Sequence, residues 1–331
     1  MSDAPLSAPS GGIGRSARVA AVARGMGHRA GPVVAVVAVL VAIWYAACLP
    51  MNVGNTLLQA ERAGAVVTPE GPAARRQMGS VALMAANPSL LPGAWSLERP
   101  RLPAPHQVAV ALWDGVAGQS VTSARSLVYH AWVTLSATLL GFAIGTGLGI
   151  LLAVGIVHSR VMEMSVMPWA IVSQTVPIIA IAPMIIVVLY SVGVQGIVPK
   201  AVISAYLSFF PVVVGMVTGF RSPDAMQLDL LRTYAATRAQ IFGKLRLPAS
   251  LPYLFASLKI GVAASLVGAI VAELPTGAQA GLGARLLAGS YYGQNIQIWA
   301  ALFAAALLAA GLVGLIGLVE RGLLARMGMG Q

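Results

Sequence analysis

Long stretches without a single charged side chain constrain this sequence more than any other feature. They cover residues 32–51, 131–157, 164–199, 201–220 and 286–319. A helix of about 20 residues crosses a hydrocarbon core of about 30 Å, and each stretch is at least that long. Hydrophobic residues make up 58% of the chain and charged residues only 9%, far from the average of soluble proteins. The sequence therefore predicts an all-α membrane protein.

Two segments decide how many times the chain crosses the membrane. The stretch 164–199 is interrupted by prolines, so we predict one helix at about 169–191, followed by a turn at 193–196. A weaker apolar segment at about 253–275 carries a lysine near its start and a glutamate near its end. When this segment is included, the chain has about six transmembrane helices.

Basic residues are unevenly distributed between the two sides that these helices would define. With both termini on one side, that side also holds the loops after the second and fourth spans. Its basic residues are Arg15, Arg18, Arg24, Arg29, Arg160, those of 221–246, Arg321 and Arg326. Short loops rich in Lys and Arg face the cytoplasm. We therefore predict a multi-pass protein with both termini cytoplasmic.

The predicted spans divide the chain into five regions. They are a cytoplasmic N-terminal tail at 1–31, a first transmembrane helix at 32–51, an extracytoplasmic insert with an interfacial segment at 52–126, a five-helix core at 127–320 and a cytoplasmic C-terminal tail at 321–331. A cleaved signal peptide is the alternative for the first helix, but its apolar run is longer than a signal core.

Two parts of the insert have different patterns. Residues 52–105 contain seven prolines, which predict irregular structure with short helices at most. Residues 105–116 have the periodicity of an amphipathic helix lying on the outer membrane interface. A plain connector is the equal alternative for this second part.

Charge and cysteine content exclude several classes of function. The net charge is +11, but the basic residues lie mainly beside helix ends and do not cluster between aromatic residues, so we expect no nucleic-acid partner. The single Cys48 excludes an intramolecular disulfide, and the four histidines are dispersed, so the sequence predicts no metal site and no catalytic group. The sequence also lacks the Gly-x-x-x-x-Gly-Lys-Ser/Thr phosphate loop of ATPases.

The segment 221–252 is the only sizeable polar stretch of sequence in the C-terminal two-thirds of the chain. From Asp229 onward, apolar residues recur at helical spacing with basic residues between them. This pattern predicts two short amphipathic helices, broken near 236–237 and ended by Pro248 and Pro252. Such helices either dock into a groove on another protein or rest on lipid headgroups. Periodicity alone does not decide between these two roles.

Residues 229–252 resemble the coupling-loop signature of ABC importer permeases, which runs Glu-Ala-Ala, then Gly, then a closing Leu-Pro. The residues at those positions are Asp229, Leu230, Leu231, Ala235, Leu247 and Pro248, while Arg238, Gln240, Ile241 and Phe242 resemble the Arg-Trp-Gln-Ile-Phe run of the family. Because Ala235 replaces the glycine, we expect the chain to turn there within ordinary backbone limits.

The resemblance extends from about residue 127 to 326. Segments 130–156, 177–183 and 272–286 are similar to the branch that imports nitrate, sulfonates, taurine and thiamine-type pyrimidines. The resemblance implies a type I permease-like bundle with a cytoplasmic coupling helix, located in the bacterial inner membrane. It also implies uptake of a small anion such as a sulfonate or nitrate, or of a pyrimidine-like heterocycle.

The same resemblance implies several partners. They are a second permease chain, identical or related, two ABC ATPase subunits that hold ATP-Mg, and an extracytoplasmic solute-binding protein, all assembled in the lipid bilayer. ATP hydrolysis would reside on the separate ATPase subunits. The chain itself would then have no cofactor and no enzymatic activity.

Eight residues of the predicted spans, all polar except Pro177, are the candidates for a translocation path. They are Gln174, Thr175, Pro177, Ser204, Tyr206, Ser208, Ser265 and Glu273. Such groups usually face protein or a water-filled path, although a hydroxyl more often bonds to the helix backbone. Glu273 could pair with Lys200 or Arg285, and a structural or gating role competes with direct contact to the substrate.

Four glycines in the second span, Gly141, Gly145, Gly147 and Gly149, fit close contacts between helices. Such contacts suit either a bundle that switches between two packings or a static one.

An ion-coupled secondary transporter is the alternative function. Glu273 would then be the coupling acid. Such a protein has no use for an ATPase-docking loop, and it usually carries more than one acid at the membrane midplane. The loop therefore favours the ATP-driven importer.

Overall fold

The computed structural model describes residues 15–275 and 280–328, with side chains from Gly31 onward. Every regular element within those residues is a helix. The chain divides into two compact units, Met1–Pro105 and His106–Gln331. Five helices of the described residues are long and apolar enough to cross a membrane, or six crossings result if one bent helix pair counts as a span. The predicted all-α membrane fold is confirmed.

The first unit is built on helix α1, which spans Arg15–Arg62. Residues 15–31 belong to this helix and not to the irregular tail that the sequence predicted, because alanine and arginine, which favour helices, dominate them. The predicted tail residues 1–14 lie outside the described residues. The apolar part of α1, Gly31–Arg62, is one of the candidate membrane spans.

The proline-rich segment after α1 forms short helices that pack against its last turns. They are α2 (Pro72–Gln77), α3 (Ser80–Ala86) and a 3₁₀ helix at Pro88–Trp95. Val53, Leu57, Val67 and Leu83 form the buried apolar cluster of this unit.

Asn52 fastens the proline-rich segment to α1. Its Nδ2 donates to the carbonyls of Ala94 at 3.0 Å and Leu102 at 2.8 Å. Its Oδ1 accepts from the backbone N–H groups of Arg101 at 2.8 Å and Leu102 at 3.1 Å. Because this side chain is fully buried, its polar atoms depend on these bonds. One side chain of α1 therefore orders much of the insert.

Helix α4 (Pro105–Val116) lies in the second unit apart from its first residue, so the pattern at 105–116 does form a helix. Its centre consists of α5 (Leu127–His158), α8 (Ile197–Arg221) and α11 (Leu247–Glu273), which pack on one another more extensively than on the other helices. A buried apolar cluster around Val212, Met216 and Phe220 joins α5 to α8.

Glycines on one face of α5 allow its close approach to α8. A Cβ added at Gly141, Gly145 or Gly149 would lie 2.4, 2.1 or 2.8 Å from the nearest atom of α8. At Gly145 that atom is the Oγ of Ser208. Gly147 faces open space, so the prediction of a close contact at that position is wrong.

The segment predicted as one helix at 169–191 is two helices, α6 (Arg160–Ser173) and α7 (Ile178–Ser191). They are bent by 102° at the break between them. Pro177 precedes α7 and has no N–H to continue α6, and a proline also disfavours helical geometry at the residue before it. The predicted turn at 193–196 follows α7.

The apolar stretch 286–319 is also divided between two helices, α12 (Leu282–Tyr291) and α13 (Asn295–Arg326). The chain turns at Gly293, whose φ of +65° favours glycine. Of these two helices α13 is the candidate span. It includes the first residues of the predicted tail at 321–331, of which residues 329–331 lie outside the described part.

Candidate coupling loop and translocation pathway

The segment between α8 and α11 carries two short helices, α9 (Ala225–Thr233) and α10 (Arg238–Ile241). The break between them includes the predicted position at 236–237. At the start of α10, Gln240 Oε1 accepts from the Thr237 N–H at 2.8 Å, and Thr237 Oγ1 accepts from the Gln240 N–H at 3.3 Å. This reciprocal pair caps the helix, so Gln240 holds the shape of the loop.

The second helix does not end at Pro248 or Pro252, which corrects the sequence prediction. It continues through a π-helical turn at Phe242–Arg246 into α11, and the joined helix runs Arg238–Glu273. The Leu247 N–H bonds to the Phe242 carbonyl, five residues back. A proline in an α-helix clashes with the carbonyl four residues earlier, and this wider turn relieves that clash for Pro248.

Ala235 lies between α9 and α10 in the left-handed region, with a φ of +53°. Among the described residues other than glycine, no other has a positive φ. The Ala236 N–H bonds to the Leu231 carbonyl at 3.0 Å, and the Ala235 N–H bonds to the Arg232 carbonyl at 2.9 Å. This is the Schellman pattern that usually places glycine at the left-handed position. The expectation that Ala235 turns within ordinary backbone limits is therefore wrong.

Helix α9 presents an apolar stripe that the described residues leave uncovered. Met226, Leu230 and Tyr234 are 79%, 57% and 77% exposed. Their spacing of four residues places them on one face of the helix. Asp229 and Arg232 form an exposed ion pair of 2.9 Å on the same helix. An exposed apolar stripe of this kind suits contact with another protein.

The sequence predicted the apolar pattern only from Asp229 onward, which includes Leu230 and Tyr234 of the stripe but leaves out Met226. Asp224 followed by Gln227 is a capping-box pattern, and the structure starts α9 directly after Asp224. That pattern could have placed the start of α9 before Asp229 and so revealed Met226.

Phe242 anchors the loop in the bundle. Its ring centroid lies 5.0 Å from that of Phe220 at the end of α8 and 4.9 Å from that of His158 at the end of α5. The predicted loop residues thus fall into two groups. Leu231, Ile241, Phe242 and Pro248 are half-buried, whereas Asp229, Leu230, Ala235, Arg238, Gln240 and Leu247 are exposed.

Three of the predicted path hydroxyls are fully buried between helices: Ser204, Ser208 and Ser265. Ser204 Oγ lies 2.7 Å from Ser265 Oγ, and Ser265 Oγ donates to the Thr138 carbonyl at 2.9 Å. Ser208 Oγ donates to the Ala205 carbonyl of its own helix at 3.2 Å. In this conformation the serines hold α5, α8 and α11 together.

The other predicted path residues lie at or near the bend between α6 and α7. Gln174, Thr175 and Pro177 are exposed there. The Tyr206 hydroxyl of α8 donates to the Ser173 carbonyl at the end of α6. The structure thus brings Tyr206 beside the bend but separates this group from the buried serines.

Glu273 is a fully buried carboxylate at the end of α11, at the opposite end of the bundle from α9 and α10. Thr134 Oγ1 lies 3.0 Å from each of its carboxylate oxygens, and the Gly283 N–H donates to Oε2 at 2.8 Å. Lys200 Nζ lies 3.5 Å from Oε1. A buried carboxylate is costly unless it is paired and hydrogen-bonded, so these groups hold it in place. Of the two proposed partners, the structure places Lys200 beside it.

The turn before α12 fits closely around the Glu273 carboxylate. Gly281 has a φ of +128°, and a Cβ there would lie 2.1 Å from the Glu273 carboxyl carbon. The Gly281 N–H donates to His130 Nδ1 at 3.0 Å, and His130 Nε2 lies 2.9 Å from the Ala124 carbonyl. Because Nδ1 accepts, this arrangement fits the neutral imidazole with its proton on Nε2. Residues 276–279 of the similar segment 272–286 lie outside the described residues.

A cavity of about 470 Å³ opens at this same end of the bundle and is lined by Arg125 and Arg285, together with Asp114. Arg285 does not pair with Glu273 but donates to Gln297 Oε1 at 2.8 Å. Burial, and then repulsion from Arg125, lower the pKa of the Arg285 guanidinium. Within the described part of the chain, its buried Nε has no hydrogen-bond partner. The lining holds two arginines and one acid, so the cavity favours a ligand that carries negatively charged oxygen atoms.

Residues 145–327 match the sequence model of a family described as "binding-protein-dependent transport system inner membrane component". The riboflavin transport system permease protein of Chloroflexus aurantiacus is 30% identical, over 66% of this chain and 78% of that protein. The formylaminopyrimidine transport permease protein of Halalkalibacterium halodurans is 32% identical, over 55% of this chain and 68% of that protein. The putative aliphatic sulfonates transport permease protein of Bacillus subtilis is 25% identical, over 66% of this chain and 84% of that protein.

Proposed function

The chain belongs to the family of binding-protein-dependent transport system inner membrane components, the permease subunits of ABC importers, and we propose that it carries a small solute inward across a bacterial inner membrane. A separate ATPase supplies the energy. The proposed partners are two ABC ATPase subunits, which bind ATP-Mg, a second permease chain, identical or related, and an extracytoplasmic solute-binding protein. Both termini, α9 and α10 then face the cytoplasm.

The apolar stripe of α9 is the observation that supports this proposal most directly. Three exposed side chains on one helix face suit a groove in a partner protein. Phe242 fixes the loop to the ends of α5 and α8. The helix that starts at Arg238 then runs for 36 residues, or about 54 Å, to Glu273. A partner that moves α9 and α10 can therefore move α11 along its whole length.

The proposed mechanism is alternating access driven through this loop. ATP binding closes the two ATPases, and their movement carries α9 and α10 of the two permease chains towards each other. The bundle then changes between outward-open and inward-open packings, since closely packed helices move between discrete arrangements. Candidates for the path are the residues at the bend between α6 and α7, with Tyr206 beside them.

The proposed solute is a small anion such as a sulfonate or nitrate, or a pyrimidine-like heterocycle. Two arginines face the cavity of about 470 Å³, whereas one acid, Asp114, lines it. Arginine binds carboxylate, sulfonate and phosphate oxygens through charge-assisted hydrogen bonds. This balance of charge supports the anion over the neutral heterocycle.

A substitution in the α9 stripe tests the docking role. In Leu230→Gln, the lost burial of a leucine is expected to weaken ATPase binding roughly tenfold or more. Arg232→Gln is the control, because Arg232 lies on the opposite face of α9 and its exposed ion pair contributes little. The measurement is the amount of phosphate-loop ATPase that copurifies with each variant from native membranes.

Two results would contradict the proposal. Equal ATPase retention by both variants would remove the docking role of the stripe. Ion-driven uptake by the purified chain alone in liposomes would identify a secondary transporter, with Glu273 as the coupling acid to test.

A further inference from the structure

The first unit contains a cavity of about 340 Å³ between the last turns of α1 and the start of α2 and α3. Part of its wall is apolar and includes Met51 and Leu58. Arg75, Arg76 and Arg101 also line it, whereas none of its lining residues is acidic. The cavity thus combines an apolar wall with a concentration of positive charge.

Arg75 is the most constrained of the three arginines, with 7% of its side chain exposed. One guanidinium nitrogen, Nη2, pairs with Glu61, and Nε donates to the Gly71 carbonyl at 3.2 Å. Within the described residues, the buried Nη1 has no hydrogen-bond partner. A buried charged donor without an acceptor is costly, so Arg75 is the arginine of the three that would gain most from an added acceptor.

The position of the cavity along α1 indicates where that acceptor comes from. Side chains of α1 such as Val33 and Ile43, which are 63% and 58% exposed, form the apolar surface of the candidate span. The uncharged stretch 32–51 ends at Met51, which lines the cavity. A hydrocarbon core that ends at Met51 would place the near end of this cavity in the headgroup region, where lipid phosphates lie.

We propose that this cavity binds the phosphate group of an anionic phospholipid, with an acyl chain running along Met51 and Leu58. Arginine can hold two phosphate oxygens at once through parallel N–H groups, and Arg76 and Arg101 line the cavity with exposed side chains. The insert then anchors α1 at the membrane surface. This site does not depend on the proposed transport function, because it lies outside the family-matched residues 145–327.

The test compares two double variants of the full-length protein, purified in detergent and stripped of lipid. Arg76→Gln with Arg101→Gln removes two exposed arginines that line the cavity. Arg62→Gln with Arg99→Gln removes two exposed arginines of the same unit that do not line it. Both changes lower the net charge equally. Native mass spectrometry then measures the affinity for added phosphatidylglycerol, with thermal unfolding as the check on folding.

The cavity variant is expected to bind phosphatidylglycerol about tenfold to thirtyfold more weakly than the wild type, because each lost arginine weakens binding about fivefold. The affinity of the control variant should change less than about twofold. Equal losses in both variants would mean diffuse attraction to basic surface and would overturn the site. Inorganic phosphate is the second probe. If it binds with the same dependence on Arg76 and Arg101 while phosphatidylglycerol binding is unaffected, the site takes free phosphate and the lipid assignment fails. If the double variant does not fold, Arg76→Gln alone is expected to lose about fivefold, and no loss would overturn the proposal.

Discussion

Replacement of Ala235 by glycine is expected to stabilise the loop between α9 and α10. A residue other than glycine in the left-handed region costs roughly 1–2 kcal/mol. Glycine also has greater conformational freedom in the unfolded chain, which lowers the free energy of unfolding by about 0.4–1 kcal/mol. Ala235 is exposed, and the bonds of its turn involve only backbone atoms, so the substitution removes no contact from the turn. The net gain is about 0.5–1 kcal/mol.

Hydrogen exchange of the Ala236 amide is the local measurement of this gain. Its N–H bonds to the Leu231 carbonyl across the turn, so its exchange reports the opening of the turn. A gain of about 0.5–1 kcal/mol should slow its exchange about two- to fivefold. Peptides covering 222–246, followed by mass spectrometry in detergent, give the required resolution.

Ala239→Gly is the matched control. Ala239 is also exposed but lies within α10, where glycine destabilises a helix by roughly 0.5–1 kcal/mol. The same substitution four residues apart should therefore change exchange in opposite directions. If both variants exchange faster than the wild type, Ala235 is not left-handed in the protein in solution, and the reasoning is refuted.

Two further predictions concern the bundle. Gly145→Ala places a Cβ 2.1 Å from the Oγ of Ser208 and should lower the free energy of unfolding by about 1–3 kcal/mol. Gly147→Ala, with nothing within 4 Å of its Cβ, should raise that free energy by up to about 1 kcal/mol. Thermal melts of the two purified variants that ranked in the reverse order would contradict the packing of α5 on α8. Glu273→Gln removes the charge that faces Lys200, so it should lower the free energy of unfolding by about 3 kcal/mol and speed hydrogen exchange in 282–291. Unchanged exchange in 282–291 would show that the carboxylate does not hold α12.

The membrane spans could be predicted from the sequence because an uncharged run of sufficient length leaves few alternatives to a spanning helix. The breaks within those runs could not. Pro168 and Pro183 stay inside helices, yet the chain breaks before Pro177. Part of the difference is tertiary, since the Ser173 carbonyl at the end of α6 receives the hydroxyl of Tyr206, 33 residues away. No local pattern contains that contact.

The loop could be located from its sequence, but the roles of its residues could not be assigned. Gln240 and Phe242 belong to the same run of residues that resembles the family. In the structure Gln240 caps α10, whereas Phe242 packs into the bundle. Ala235 shows the reverse case, because alanine occupies a position whose left-handed geometry usually calls for glycine. The two carbonyl bonds of the Schellman turn fix the backbone there, and the alanine bears the strain.

The arrangement at the far end of α11 determines how movement of the loop could be transmitted. The Glu273 carboxylate contacts Thr134 of α5, Lys200 of α8 and the Gly283 N–H of α12. Gly281 packs so closely against it that even a Cβ there would lie 2.1 Å from the carboxyl carbon. A rotation of α11 must therefore disturb several of these contacts together, because the Glu273 carboxylate takes part in all of them. We expect the end of the bundle to change between two states and not by degrees, as closely packed interfaces generally do. Because α10 and α11 form one helix, movement of the loop reaches Glu273 through the π-helical turn at Phe242–Arg246.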